Sequence, residues 1–207
     1  PQEGIIELMV RLAQSGRSLV RLKGGDPYIF GRGGEEAEAL AAAGIACDTV
    51  PGISAAQGAA ASAGIPLTHR DHAAMLVFAT GHLQGEEGER TVALDWAALA
   101  RPRQTVVIYM GVGTLPTICT QLIAHGLPAS TPAAMIERAT LPGQRSIVGT
   151  LQTLPQLSVA YGVNPPALVM IGDTVALHAR IGSSAEVLTG FPAVVDAASP
   201  QALACTA

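Results

Sequence analysis

The first third of the chain alternates between helical and strand-like spacing of its apolar residues. From Ile5 to Leu12 they recur at the interval that lines one face of a helix, and Gly16 supplies a stop. The pattern predicts further helices over residues 35–44 and 54–63, and short apolar strands over residues 18–23 and 45–50. Helices that separate strands in this way favour parallel pairing, so this part indicates an open parallel α/β sheet.

The second half of the chain repeats the alternation with longer apolar strands. Strands are predicted over residues 75–79, 105–110, 133–137, 145–148 and 167–171, and helices over residues 115–125 and 151–161. We expect a second α/β layer with mixed strand directions, a charged surface loop at residues 85–90 and no internal repeat.

A polar connector that contains proline divides these two parts. It predicts a domain boundary, with one α/β domain over residues 1–72 and a second over residues 73–182. From residue 183 to 207 the sequence turns to Ser, Ala, Thr and Pro without periodicity, which predicts a loose tail.

Composition narrows the function classes. Hydrophobic residues make up 49 % and charged residues 14 %, against about 25 % charged in an ordinary domain, which excludes charge-driven disorder and indicates extensive burial. The net charge is −4 and Lys23 is the only lysine, so nucleic acid is not an expected partner. We also expect no membrane, because no run of 18 apolar residues occurs, and no signal peptide.

Three widely spaced cysteines form no CxxC pair. Neither a zinc site nor a disulfide framework is expected from Cys47, Cys119 and Cys205, and a reducing cytoplasm fits this usage. The segment Thr68-His69-Arg70-Asp71-His72 contains HxxH beside an acid, but no further ligand lies at a convincing spacing, so no metal is expected.

A glycine-rich segment follows the first predicted strand. Five glycines lie between Gly24 and Gly34, and open α/β sheets bind ligands beyond the carboxyl ends of their strands. Neither GxGxxG nor GxxxxGK[ST] fits the segment, so a dinucleotide or triphosphate site is not supported. Asp26 has two open roles, a ligand acceptor or an Asx turn before Pro27.

Two arginines have competing roles. Arg32, between glycines, suits a carboxylate or phosphate ligand, and equally an internal pair with Glu35. Arg70 suits an anion in a cleft between the layers, and equally a salt bridge with Asp71.

Two further junctions follow predicted strands. Gly52-Ile53-Ser54-Ala55-Ala56 loosely imitates the nucleophile elbow GxSxG but fails at its last position, so a helix start on which an adenine or ribose lies is the better interpretation. Met110, at the carboxyl end of the strand TVVIYM, offers a polarisable surface to a flat or sulfur-containing ligand, with a core methionine as the alternative.

Four blocks together resemble one family. RLKGGDPYIFGRGGEEAEAL, VPGISAA, AGIPLTHRD and VVIYMG occur in the order found in tetrapyrrole methylases, and the likeness covers roughly residues 1–181. It implies two α/β domains, a parallel open sheet followed by a mixed one, with the active site in the cleft between them, and a homodimer. The implied reaction is transfer of two methyl groups from S-adenosylmethionine to ring carbons of uroporphyrinogen III, which gives precorrin-2 for siroheme or cobalamin-type cofactors and S-adenosylhomocysteine.

The resemblance also assigns residues. Arg32 and Glu35 match the catalytic, substrate-facing positions, and Arg32 and Arg70 would bind the tetrapyrrole. The positions that match the family's cofactor segments are Gly24, Gly25, Asp26, Ile29, Ser54, Ala55, Met110 and Ala139, the last where members often carry glycine.

The family begins with a strand, a GPGDP-type loop, and an acid and a lysine proposed for proton transfer, all ahead of Pro1. We therefore expect the numbered chain to be part of a longer polypeptide, with an N-terminal domain that lacks its first strand and loops. Two alternatives remain: a C-methyltransferase that acts on a later corrinoid intermediate, and a non-catalytic module that binds S-adenosylmethionine.

Overall fold

The computed structural model describes residues 1–82, 92–182 and 186–190. The helices are α1 (Gln2–Gln14), α2 (Gly33–Ala42), α3 (Ala55–Ala63), α4 (Trp96–Leu99), α5 (Leu115–Ala124), α6 (Leu154–Ala160) and α7 (His178–Ile181), with a 3-10 helix over Asp173–Leu177. The strands are β1 (Met75–Thr80), β2 (Gln104–Tyr109), β3 (Pro132–Glu137), β4 (Arg145–Thr150), β5 (Ala167–Ile171) and β6 (Glu186–Thr189). The predictions of α1, α2, α3, α5, α6 and β1 to β5 are confirmed, with small differences at their ends.

The six strands form one mixed sheet in the order β1-β2-β5-β3-β4-β6. β1 lies parallel to β2 and β4 parallel to β6, whereas β5 is antiparallel to both of its neighbours and β3 is antiparallel to β4. The mixed sheet predicted for the second half is thus confirmed. β6 corrects the prediction of a loose tail at Glu186–Thr189, because these residues take up the free backbone groups along the edge of β4.

Each face of the sheet is covered by helices. In β2, Val106 and Ile108 pack with the buried residues of α5 and α6, and the alternate residues Val107 and Tyr109 pack with α3. The α3 contact is made by small side chains, since Ala56, Ala59, Ala60 and Ala63 form its buried face. Small residues let the helix approach the sheet closely, so α3 is held directly against β2 and its neighbours.

The predicted strands over residues 18–23 and 45–50 are absent from the described structure. A strand persists only where a neighbouring backbone supplies its hydrogen bonds, and no ladder partner for either segment occurs in residues 1–82, 92–182 or 186–190. Their apolar side chains stand exposed, Val20 at 86 %, Leu22 at 80 % and Val50 at 79 %. The parallel sheet expected for residues 1–72 is therefore not observed there, and the two-domain division stays a prediction.

Three further expectations concern the cysteines, the charged loop and a membrane-spanning segment. Cys47 and Cys119 are free thiols, and burial raises the pKa of the Cys119 thiol to about 12. Cys205 and the charged loop at residues 85–90 lie outside the described residues. Within the described ranges, no helix has the length and apolar character needed to cross a bilayer.

A largely buried ion pair joins β3 to β4. Arg145 Nε on β4 donates to Glu137 Oε2 on β3 at 2.6 Å, Arg145 Nη2 lies 2.6 Å from the same oxygen, and the Asn164 N–H donates to Glu137 Oε1 at 2.8 Å. Arg145 Nη1 also donates to the Tyr161 carbonyl at 3.0 Å. One carboxylate thereby joins two strands to the loop that precedes β5.

We predict that Glu137→Gln lowers the free energy of unfolding by about 1.5–3 kcal/mol, because it removes the charge from these hydrogen bonds and leaves Arg145 without its counter-ion. Urea unfolding followed by the fluorescence of Trp96 measures the change. Glu38→Gln, on the exposed face of α2, removes the same charge and should stay within about 0.5 kcal/mol of the unaltered protein. Equal effects of the two variants would contradict the assignment.

Candidate functional site

The carboxyl ends of β1 and β2 meet at one edge of the sheet. Thr80 pairs with Tyr109, so the segments that follow, Gly81-His82 and Met110-Gly111, are neighbours. The Gly81 N–H donates to the Tyr109 carbonyl at 2.7 Å, and a Cβ on Gly81 would lie 2.7 Å from the Cα of Gly111. Only glycine permits this approach, which brings His82 and Met110 to the same edge.

A cleft of ≈ 660 Å³ opens between this edge and the glycine-rich loop of residues 24–34. Its volume falls within the range of about 300–1,000 Å³ that is usual for small-molecule sites. Both elements contribute side chains to it. The lining residues are Tyr28, Phe30, Arg32, Gly33, Gly34, Glu35, Thr80, His82 and Met110.

Asp26 fixes the shape of the glycine-rich loop. Its Oδ1 accepts from the Tyr28 N–H at 2.9 Å, which is the Asx turn, and its Oδ2 accepts from the Gly52 N–H at 3.2 Å. A Cβ on Gly52 would lie 2.8 Å from the Gly25 carbonyl oxygen. The loop and the turn that leads into α3 are therefore joined through a contact that has room only for glycine, and Asp26 is a structural part of it.

A buried carboxylate closes the base of the same loop. Glu36, only 4 % exposed, accepts from Lys23 Nζ at 2.7 Å, from Gln2 Nε2 at 2.9 Å and from Arg21 Nε at 3.3 Å. Burial acts to raise the pKa of Glu36, but the hydrogen bonds from Lys23 and Gln2 and the nearby cations outweigh it and lower this pKa. Since Lys23 precedes the loop and Glu36 follows it, their ion pair joins its two ends.

Arg32 and Glu35 form the internal pair that was one of the two expectations. Arg32 Nε donates to Glu35 Oε1 at 2.9 Å and Nη2 donates to Oε2 at 2.6 Å. Hydrogen bonding to Glu35 raises the pKa of Arg32, and the same bonds from Arg32 lower the pKa of Glu35, so both are ionised at neutral pH. Both side chains are about half exposed and both line the cleft, which leaves the guanidinium accessible to an anion.

The start of α3 holds a buried hydroxyl. Ser54 is 3 % exposed and begins α3 with a capping box, in which its side chain faces the Gln57 N–H. Its N–H donates to Gln57 Oε1 at 2.8 Å, and the N–H of Ala56, in the first turn of α3, donates to the hydroxyl of Tyr109 at 3.0 Å. No described histidine or acid contacts Ser54 Oγ, so nothing there activates it as a nucleophile.

Ala139 and Arg70 occupy different surroundings. Ala139 packs against the residues beneath α3, in a bend where Arg138 and Thr140 have φ of 51° and 66° and Gln144 Oε1 accepts from the Thr140 N–H at 2.7 Å. Arg70 is exposed and is not among the residues that line the cleft.

The expected salt bridge of Arg70 with Asp71 is not formed within the described residues. Asp71 lies instead 3.9 Å from His69 Nδ1, and the rings of His69 and His72 lie with their centroids 4.8 Å apart. Nowhere in residues 1–82, 92–182 and 186–190 do three His, Cys, Asp or Glu side chains form a group suited to a metal ion.

The structure adds residues that the motifs did not assign. Phe30, Thr80 and His82 line the cleft, and Tyr109 lies directly beneath it. The sequence contained one signal for these residues. The stretches TGH at the end of β1 and YMG at the end of β2 both contain glycine, and ligands often bind at the carboxyl ends of adjacent strands.

Comparison with curated proteins gives long matches. The chain is 55 % identical over 181 residues to siroheme synthase of Nitrosospira multiformis, which covers 87 % of this chain and 38 % of that protein. Siroheme synthase of Nitrosomonas europaea is 54 % identical over 181 residues, with 87 % and 37 % covered. The chain thus spans less than two fifths of the length of these relatives.

Solved structures of several methyltransferases share the fold of this chain. Uroporphyrin-III-C-methyltransferase from Thermus thermophilus matches at 39 % identity and a TM-score of 0.73, over 87 % of this chain and 76 % of that one. The form of that enzyme complexed with S-adenyl homocysteine matches at 37 % identity and a TM-score of 0.70, over 85 % and 75 %. A cobalt precorrin-4 methyltransferase at 22 % identity and a TM-score of 0.72 shares the fold.

The family model described as Tetrapyrrole (Corrin/Porphyrin) Methylases matches residues 1–155 of the 207. This match covers well over half of the chain, and it includes the glycine-rich loop, the start of α3 and the edge of the sheet at Met110. The chain belongs to the tetrapyrrole methylases.

Proposed function

We propose that this chain is the methyltransferase part of a protein that transfers methyl groups from S-adenosylmethionine to two ring carbons of uroporphyrinogen III, giving precorrin-2. The observation that carries the proposal is the cleft, where the glycine-rich loop meets the edge of the sheet at Met110. Support comes from the 37 % identity to the T. thermophilus enzyme complexed with S-adenyl homocysteine. The siroheme synthase relatives favour siroheme as the end product.

The donor side of the site would be formed by the assigned cofactor segments. The tight backbone contact between Gly25 and Gly52 holds the glycine-rich loop against the turn before α3, so the loop and Ser54 would border the same nucleoside. S-Adenosylmethionine supplies an electrophilic methyl group attached to a sulfonium sulfur. Met110, 54 % exposed on the cleft, would place a polarisable side chain beside that sulfur.

The acceptor side would rely on the two arginines. Uroporphyrinogen III carries eight carboxylates, and the chain carries a net charge of −4, so locally placed cations must offset the repulsion. Arg32 would bind a substrate carboxylate from the cleft wall, while Glu35, ionised and paired with it, keeps the guanidinium oriented. Arg70 would extend this anion site from its exposed turn.

Rate enhancement would come mainly from placement of the two reactants. An electron-rich ring carbon would attack the methyl carbon as the bond to the sulfonium sulfur breaks, releasing S-adenosylhomocysteine, and each methylated macrocycle would then lose one proton. Well-oriented reactants gain on the order of 7–11 kcal/mol. Glu35 has a lowered pKa, which makes it an acceptor of hydrogen bonds and not a donor of protons at neutral pH. The cleft that holds both ligands therefore acts as the catalyst.

A homodimer and a cytoplasmic location belong to the same proposal. The apolar side chains of Val20, Leu22, Val50 and Ile53 are exposed, and a partner chain would bury side chains of this kind. The free thiols Cys47 and Cys119 suit a reducing compartment.

The intact protein should convert uroporphyrinogen III, in the presence of S-adenosylmethionine, into a product heavier by two methylene units with the absorbance of an oxidised dimethyl tetrapyrrole. Mass spectrometry and absorbance follow the reaction, and omission of the methyl donor is the control. Methylation of a corrinoid substrate in place of uroporphyrinogen III would select the alternative. Binding of S-adenosylhomocysteine without any turnover would indicate a non-catalytic module.

Arg32→Ala should raise the KM for uroporphyrinogen III by about tenfold or more, because a bidentate, charged hydrogen-bond partner is lost. The affinity for S-adenosylhomocysteine, measured by calorimetry, should stay within about twofold, since the nucleoside is assigned to other residues. Arg17→Ala, at an exposed position after α1, removes the same charge and should change neither value. Equal weakening of both ligands by Arg32→Ala would remove Arg32 from the substrate side.

A further inference from the structure

Tyr109 contacts three of the segments assigned to the methyl donor, the glycine-rich loop, the start of α3 and Met110, without lining the cleft itself. It is the last residue of β2, directly before Met110, and it is 9 % exposed. It does not appear among the residues that form the cleft wall in the described structure. Whatever it does for a ligand must therefore act through its neighbours.

The ring of Tyr109 ties the glycine-rich loop to the sheet. It lies between Phe30 of the loop, with ring centroids 4.6 Å apart and planes tilted by 47°, and Phe78 of β1, at 5.9 Å in an edge-on arrangement. Aromatic pairs at these distances are favourable beyond their buried area. Phe30 is itself part of the cleft wall, so the position of the wall depends on this contact.

The hydroxyl of Tyr109 ties the start of α3 to the sheet. It accepts the Ala56 N–H at 3.0 Å, which is one of the N–H groups that a helix leaves free in its first turn. The bond is buried and joins residues that are 53 positions apart in sequence. It holds Ser54 and Ala55, which immediately precede Ala56, close to the end of β2.

The backbone of Tyr109 supplies the third tie. Its carbonyl accepts the Gly81 N–H at 2.7 Å, which holds the end of β1, and the next residue, Met110, turns sharply with a φ of 54°. A non-glycine residue in this left-handed region persists only where its surroundings hold it. The direction in which Met110 enters the cleft is thus set at Tyr109.

We propose that Tyr109 is a positioning residue that sets the relative placement of the loop, the start of α3 and Met110, and thereby the affinity for S-adenosylmethionine. The inference rests on the proposed function, and specifically on the assignment of these three segments to the methyl donor. Tyr109 is not among the residues assigned to the tetrapyrrole. Loss of its contacts should therefore weaken binding of the methyl donor while leaving the KM for the tetrapyrrole nearly unchanged.

Tyr109→Phe removes one oxygen and keeps both ring contacts. We expect the Kd for S-adenosylhomocysteine, measured by calorimetry on the intact protein, to rise about tenfold, because the Ala56 N–H loses its acceptor and the start of α3 shifts. The KM for uroporphyrinogen III should stay within about twofold. Phe30→Leu loosens the same tie from the loop side, and its effect should not add to that of Tyr109→Phe, since the two residues are in contact.

Tyr161→Phe is the matched control, because the Tyr161 hydroxyl likewise forms a hydrogen bond with one backbone group, here as donor to the Gly190 carbonyl at 3.1 Å. It should leave both ligands unaffected. If the unaltered protein binds S-adenosylhomocysteine and Tyr109→Phe binds it equally well, the role of Tyr109 is overturned while the proposed function stands. If Tyr161→Phe weakens binding as much, the effect is general destabilisation and the inference also fails. If the unaltered protein does not bind this nucleoside, both proposals fail.

Discussion

Strand β2 is buried along its whole length, and this double-sided burial is the constraint on which the rest of the structure depends. Its alternate side chains must meet apolar partners on both faces, so α5 and α6 cover one face and α3 the other. The alanine face of α3 satisfies this requirement at short range. As a consequence, the start of α3 reaches the carboxyl end of β2, where Tyr109 accepts its Ala56 N–H. The core and the site are thus parts of one packing arrangement.

Several of the few charged side chains of the chain are held by structural contacts. Lys23 and Arg21 surround the buried Glu36, Arg145 is held by Glu137, and the Arg103 guanidinium donates to the carbonyls of Arg70 and Asp71 at 2.9 and 3.1 Å. Buried charges must be paired, which explains the first two groups. What remains at the cleft is Arg32 with its partner Glu35, an exposed pair that an anionic ligand can share. A chain with a negative net charge can therefore still present a cation to a polyanionic substrate.

Much of the fold was predictable, because each strand and helix of the core follows from local apolar spacing. The sequences of β2 and β5 are apolar runs, which predict strands. The apolar residues of α5 and α6 recur at helical spacing, and each helix has a proline in its first turn. The segments at residues 18–23 and 45–50 also contain apolar runs, but they form no strand within the described structure. The difference is physical: a strand is completed by its neighbour, and apolar spacing contains no information on whether that neighbour is present.

The sequence by itself determined the family, the glycine-rich loop and the positions at which ligands are expected, since four blocks of local chemistry are sufficient for that. It left open whether Asp26 faces a ligand or a protein partner, and the tertiary structure supplies the Gly52 N–H as such a partner. It also brought Tyr109 within hydrogen-bond distance of Ala56 and placed His82 beside Met110. Such contacts join residues tens of positions apart, and only the packing of helices on the shared sheet fixes their distances.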